Sequence, residues 1–206
     1  LLVISIFLVI WYQLSRAGEE FQLPIFTPSD LRSTLVHPSL VGKKTHEIPD
    51  FSFINQNGET ITQESVKNKI YVANFFFTSC PSICIDLTKN LKLVQDAFDV
   101  SDILILSHSV DPKIDSIERL KKYEEINDIN GKNWLFLRGD INEVIKMAQL
   151  GYFAIASVDN HIDNSLIHTE NIVLIDTESR IRGVYNGTSQ LEMSYLISDI
   201  NKLLSK

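Results

Sequence analysis

The sequence predicts one α/β domain with a mixed central sheet, spanning residues 51–206 and preceded by an N-terminal transmembrane anchor. Three observations predict it. YVANFFF and ILILSHSV are almost unbroken apolar runs, the pattern of strands covered on both faces. Between and after them, apolar residues recur at the spacing of amphipathic helices. Near the C-terminus, NIVLID and RIRGVYNG flank the turn residues TES, as the two strands of a hairpin do. The resulting order is βαβαβαββα, with helices on both faces of the sheet.

The chain opens on LLVISIFLVIWY, which carries no charge. A spanning helix takes about 20 apolar residues, so residues 1–14 read as the later part of one, with Trp11 and Tyr12 as interfacial aromatics. No small-residue cleavage site follows. Arg16 is outnumbered by Glu19 and Glu20, which favours an outside location for what comes next. Residues 15–50 lack periodicity and contain Pro24, Pro28, Pro38 and Pro49, so they read as a stalk.

DFSFINQNGETIT predicts a hairpin turning at Asn57-Gly58. After the strand YVANFFF, Ile83, Leu87, Leu91, Val94 and Phe98 recur at helical spacing, so a helix begins inside TSCPSIC, with Pro81 suited to its first position. ILILSHSV is the next strand, and Asp115 with Glu118 brackets the start of a helix running to about Asn127. WLFL is a short strand; Asp140 and Glu143 open a helix that Gly151 ends. Behind the terminal hairpin, Ser189 and Glu192 start the closing helix. About 155 residues suffice for one full core. The net charge of −7, with no basic stripe against it, argues against nucleic acid as a partner.

The chemistry concentrates in the only two cysteines, Cys80 and Cys84. As a staple they would achieve little, since closing so short a loop restrains the unfolded chain by only about 2 kcal/mol. Their position is more telling. Ligand sites of such sheets gather beyond the carboxyl ends of the parallel strands, and Cys80 follows YVANFFF by three residues. A helix N-terminus there favours thiolates. Side chains at i and i+4 hold Cβ atoms about 5–6 Å apart, wide for a disulfide near 3.8 Å but within reach of one metal ion bonded at about 2.3 Å. NIVLID should run antiparallel to its neighbours, so His168 in SLIHTEN waits at the same edge. Two soft thiolates and an imidazole suit copper, with zinc as competitor, in an open three-ligand site. His108, at the end of ILILSHSV, could also approach that edge. His161 falls in the polar stretch DNHID, and His37 and His46 fall in the stalk as bystanders.

NFFFTSCPSIC, LSHSVDPKIDS, IHTENIVLID and VYNG together resemble the Sco family, called SenC in bacteria, over about residues 50 to 204. The resemblance implies a thioredoxin-like fold tethered to a membrane. It also implies one copper ion per chain, held by Cys80, Cys84 and His168 and delivered to the copper-bearing subunit of cytochrome c oxidase during assembly. A thiol reductant or another copper chaperone would be a further partner. Asp111 and Pro112 match the family's S-[VI]-D-P stretch; Ser82 and Ile85 depart from it, where an acidic residue and a proline are common. The expected location is a bacterial inner membrane, single-pass, with the domain in the periplasm; the alternative is the mitochondrial inner membrane facing the intermembrane space. The competing function is a thiol–disulfide oxidoreductase, with Cys80 as nucleophile and Cys84 as resolving thiol. The three-residue spacer argues against it, because C-x-x-C is the usual redox motif.

Overall fold

Strands β1 (Ser52–Ile54) and β2 (Thr60–Thr62) form a small antiparallel sheet of their own. Their turn falls where Asn57-Gly58 predicts it, but the loop is longer than two residues. The Asn55 side chain accepts from the N–H groups of Asn57 and Glu59, and Gly58 takes φ +79°, a conformation that side chains disfavour. The computed structural model describes residues 22–31, 36–154 and 170–205. The expected anchor, residues 1–14, lies outside them, and among the described residues no helix is long and apolar enough to cross a membrane.

The main sheet has five strands in the order β5-β4-β3-β6-β7. β3 (Ile70–Phe76) is central and every residue of it is buried, as its apolar run demands. It pairs in parallel with β4 (Ile103–Ser109), which pairs in parallel with β5 (Trp134–Leu137). On its other side β6 (Asn171–Ile175) runs antiparallel to it, and β7 (Ile181–Asn186) antiparallel to β6. The mixed sheet is therefore as the sequence predicts.

Helices α1 (Ile83–Asp96), α2 (Ile117–Ile126), α3 (Ile141–Lys146) and α4 (Gln190–Leu204) complete the predicted alternation. The pleat sends alternate β3 residues to opposite faces. Val72 and Phe76 meet Leu87, Leu91 and Val94 of α1 and Met193, Leu196 and Ile200 of α4. Tyr71, Ala73 and Phe75 meet Phe53 of β1, Val144 of α3 and Tyr152 on the other face. Truncating a fully buried member such as Leu91 to Ala costs about 2–5 kcal/mol, from lost transfer energy and the cavity left behind. One polar chain crosses the first core: Trp134 Nε1 donates to Ser107 Oγ, which donates to Asn74 Oδ1, so each buried group is paired.

Two helix starts are capped by the residues that the sequence predicts. Asp140 caps α3 by accepting from Asn142 N, and Ser189 caps α4 by accepting from Glu192 N. α3 does not stop sharply: a π-helical turn over Met147–Gly151 follows it, ending where Gly151 predicts. Two details differ. Pro81 does not occupy the first helical position, because α1 begins at Ile83 with Ser82 as its cap residue. Asp115 does not cap α2; Ser116 does, accepting from Arg119 N.

The stalk reading of residues 15–50 needs correcting for its described part. Leu23, Val36, Leu40 and Ile48 are buried. Phe26 bridges to Ile181, and Ile48 N donates to Ser179 O. Arg182 donates from Nε to Pro24 O and from Nη2 to Leu23 O, while its Nη1 pairs with Asp176 Oδ2 at 2.8 Å. His46 joins in, its Nε2 bonded to Gly151 O at 2.7 Å and its ring against Phe153. Proline-rich, aperiodic sequence reads as a linker because this segment pairs through backbone carbonyls and scattered apolar residues, which leave no period.

Candidate functional site

The site is built where β3 ends. Beyond Phe76 the chain makes a turn, Phe77 to Cys80, closed by Cys80 N donating to Phe77 O at 3.2 Å. Three residues further on, α1 begins. Cys80 therefore sits on the loop at the sheet's carboxyl edge and Cys84 in the first turn of the helix, the placement the motif predicts. Both thiols are free; Cys80 is half-buried, and Cys84 is buried in the first core.

The two thiols are not equivalent. Cys84 N donates to Cys80 Sγ at 3.4 Å, so an orphan N–H of the helix start is spent on that sulfur. Burial alone would raise the Cys80 pKa; the Ser82 N–H and hydroxyl and the Cys84 N–H and thiol outweigh it, and the net shift is downward. Burial pushes the Cys84 thiol up to about 12, with the Cys80 sulfur beside it acting in the same direction. One sulfur is thus biased toward thiolate, and the other holds its proton until something compensates for its burial. A cation bridging both sulfurs would supply that compensation.

Tyr123 closes one flank: its ring lies against Phe76 and Phe136, and its hydroxyl bonds Thr88 Oγ1 at 2.8 Å. On the other flank Gly187 lies so close to α1 that a Cβ there would clash with Leu87 Cδ1 and meet Ile172 Cδ1 at 2.8 Å. Asn90 Nδ2 also donates to Gly187 O, and Gly187 N donates to Glu170 O. The VYNG stretch thereby pins the start of β6 against the cysteine helix. Val173 of β6 pairs antiparallel with Ala73 of β3, so β6 starts at the edge where β3 ends.

His168 and His161 lie outside the described residues. Among the described residues no group of three His, Cys, Asp or Glu side chains could hold a metal. His108 does not reach the thiols. It pairs in register with Phe75, so it faces the second core while Phe76 and Cys84 face the first. It is fully buried among Phe51, Phe53, Phe75 and Tyr152. His37 bonds Ser39 in a short turn, and His46 binds a carbonyl, so neither belongs to the site.

Sequence reasoning missed the layer beneath the thiol loop. Asp115, wholly buried, accepts from Thr78 Oγ1 and Ser109 Oγ at 2.5 Å each. Its place four residues after Asp111, in a stretch already singled out, was a signal, but the position reads equally well as a helix cap.

The SCO1/SenC family profile matches residues 41–205. Among solved structures, a SCO1/SenC family lipoprotein from Bacillus anthracis is 30% identical, with a TM-score of 0.68 over 76% of this chain and 94% of that one. BsSco, described as a member of the Sco family of cytochrome c oxidase assembly proteins with a disulfide switch, is 26% identical, with a TM-score of 0.64 over 79% of this chain and 95% of that one. ScoI of Arabidopsis thaliana, solved with copper bound, shares the fold at 20% identity and a TM-score of 0.62, over 78% of this chain and 100% of that one.

Proposed function

This chain belongs to the SCO1/SenC family, and on that premise we propose that it carries copper to cytochrome c oxidase as the enzyme's copper centre is assembled. The observation that supports this most is the pair of free, unequal thiols one helical turn apart at the carboxyl edge of β3. Copper is cargo here rather than a resident cofactor. Cys80, at the rim and biased toward thiolate, would engage the ion first; Cys84, below it, would lose its proton as the ion's charge offsets its burial. His168 is the proposed third ligand, and an open three-ligand site leaves the ion a way out. The receiving partner would be the oxidase's copper-bearing subunit, and the delivering partner another copper chaperone. Residues 1–14 are the proposed single-pass anchor in a bacterial inner membrane, with the domain in the periplasm.

A second reading is favoured by the same inequality of thiols. In a thiol–disulfide oxidoreductase, the Cys80 thiolate would attack a partner disulfide, forming a mixed disulfide and releasing one partner thiolate. Cys84, once deprotonated, would then attack Cys80 Sγ and release the second, leaving the partner doubly reduced and Cys80–Cys84 oxidised. His168→Ala separates the two functions, because a dithiol needs no third ligand. Copper delivery predicts lost oxidase activity in cells at low copper, with disulfide exchange slowed at most in solution. Normal oxidase levels with crippled exchange would establish the oxidoreductase instead.

A further inference from the structure

We propose that Asp115 is the positioning residue of the thiol site, holding the turn that presents Cys80 through its bonds to Thr78. The carboxylate lies under that turn with no exposure to solvent. It accepts from Thr78 Oγ1 at 2.5 Å, from Thr78 N at 3.3 Å to each oxygen, and from Ser109 Oγ at 2.5 Å. Arg119 Nε stands 3.9 Å from Asp115 Oδ1 and donates to Thr78 Oγ1 at 2.6 Å, so Thr78 is gripped from both sides. Thr78 lies inside the turn that Cys80 N and Phe77 O close.

Asp115 itself cannot drift. Its N–H donates to Asp111 O, its carbonyl accepts from Arg138 Nε, and Arg138 Nη2 donates to Pro112 O. A buried carboxylate is costly unless paired, and packing alone would be served as well by an apolar residue. This one is satisfied largely by the loop that carries the half-buried Cys80 thiol. Ser116 takes the cap of α2, which leaves Asp115 free to turn inward. The arrangement fixes Cys80 relative to Cys84 before any ion arrives, and outer groups of this kind tune metal affinity.

The copper arm of the test rests on the carrier reading; the metal-free arm does not. Asp115→Asn keeps the size but turns one acceptor into a donor, and Thr78→Val removes the hydroxyl at the half-buried end. In the reduced, metal-free full chain, each substitution should speed amide exchange across residues 77–80 by about tenfold while the five strands keep their protection. The double variant should be no worse than Asp115→Asn alone, since both cut one relay. With copper added, affinity should fall about tenfold or more, and the sulfur-to-copper absorption band should move. Should Asp115→Asn not fold, Thr78→Val carries the same comparison. Unchanged exchange at residues 77–80, or exchange raised equally in every strand, overturns the positioning role. A parent chain that takes up no copper sinks the carrier reading and leaves the exchange comparison to decide the role of Asp115.

Discussion

The backbone N–H of Cys84 points at Cys80 Sγ from 3.4 Å, so the helix that buries one cysteine stabilises the thiolate of the other. Spacing alone makes them look interchangeable; the start of α1 sets them apart. Their reactivity should differ accordingly. Thiolate fraction and access both favour Cys80, so at pH 7 iodoacetamide should modify it at least about tenfold faster than Cys84. Peptide mapping after brief alkylation of the reduced chain measures this. Equal rates would contradict the assignment.

Stability should fall as pH drops from 7 to 5. Among the described residues His108 has no hydrogen-bond partner on either ring nitrogen, and burial lowers its pKa from 6.5 to about 3. The unfolded chain therefore binds a proton near pH 6.5 that the folded chain refuses until about pH 3. The stabilisation is full above the unfolded value and is lost as pH falls below it, by about 2 kcal/mol at pH 5. His46 adds in the same direction, since burial also lowers its pKa, against the pull of the Gly151 carbonyl. Urea unfolding at the two pH values reads the loss, and His108→Leu should remove most of it. An undiminished slope in that variant would mean that other groups carry it.

The start of the N-terminal segment should be sensitive to one side chain. Arg182 is buried, pairs with Asp176 and holds the carbonyls of Leu23 and Pro24. Arg182→Ala leaves Asp176 still paired with the Arg180 guanidinium and the N–H groups of Glu178 and Arg180, but strips the Leu23 and Pro24 carbonyls of their donor, and should cost about 1–3 kcal/mol. Limited proteolysis should then cut within residues 22–50 before it touches the sheet. Cleavage there at the same rate in the parent chain would show that the segment is held by something else.

The sheet and its helices were legible because their signals are periodic: an unbroken apolar run for β3, a 3.6-residue spacing for α1, and caps at Asp140 and Ser189. The placement of the cysteine pair was legible because it depends only on where a strand ends and a helix begins. Leu23, Pro24 and His46 were not legible, since they dock through carbonyls and a single ring. His108 stayed open as a second approach to the site because one residue of register decides which face of the sheet a side chain takes. Asp115 was visible but ambiguous: an acidic residue before a helix reads as a cap until a neighbouring serine takes that role.

Copper held by the two cysteines with a third ligand can be read by titrating the reduced full chain with copper in the absence of oxygen and following absorption. One ion should bind per chain and, with Cu(II), a sulfur-to-copper charge-transfer band should appear. Cys80→Ser and Cys84→Ser should each abolish that band, and His168→Ala should weaken binding while leaving the fold intact. Tight copper binding and an unchanged band after either cysteine is replaced would contradict it.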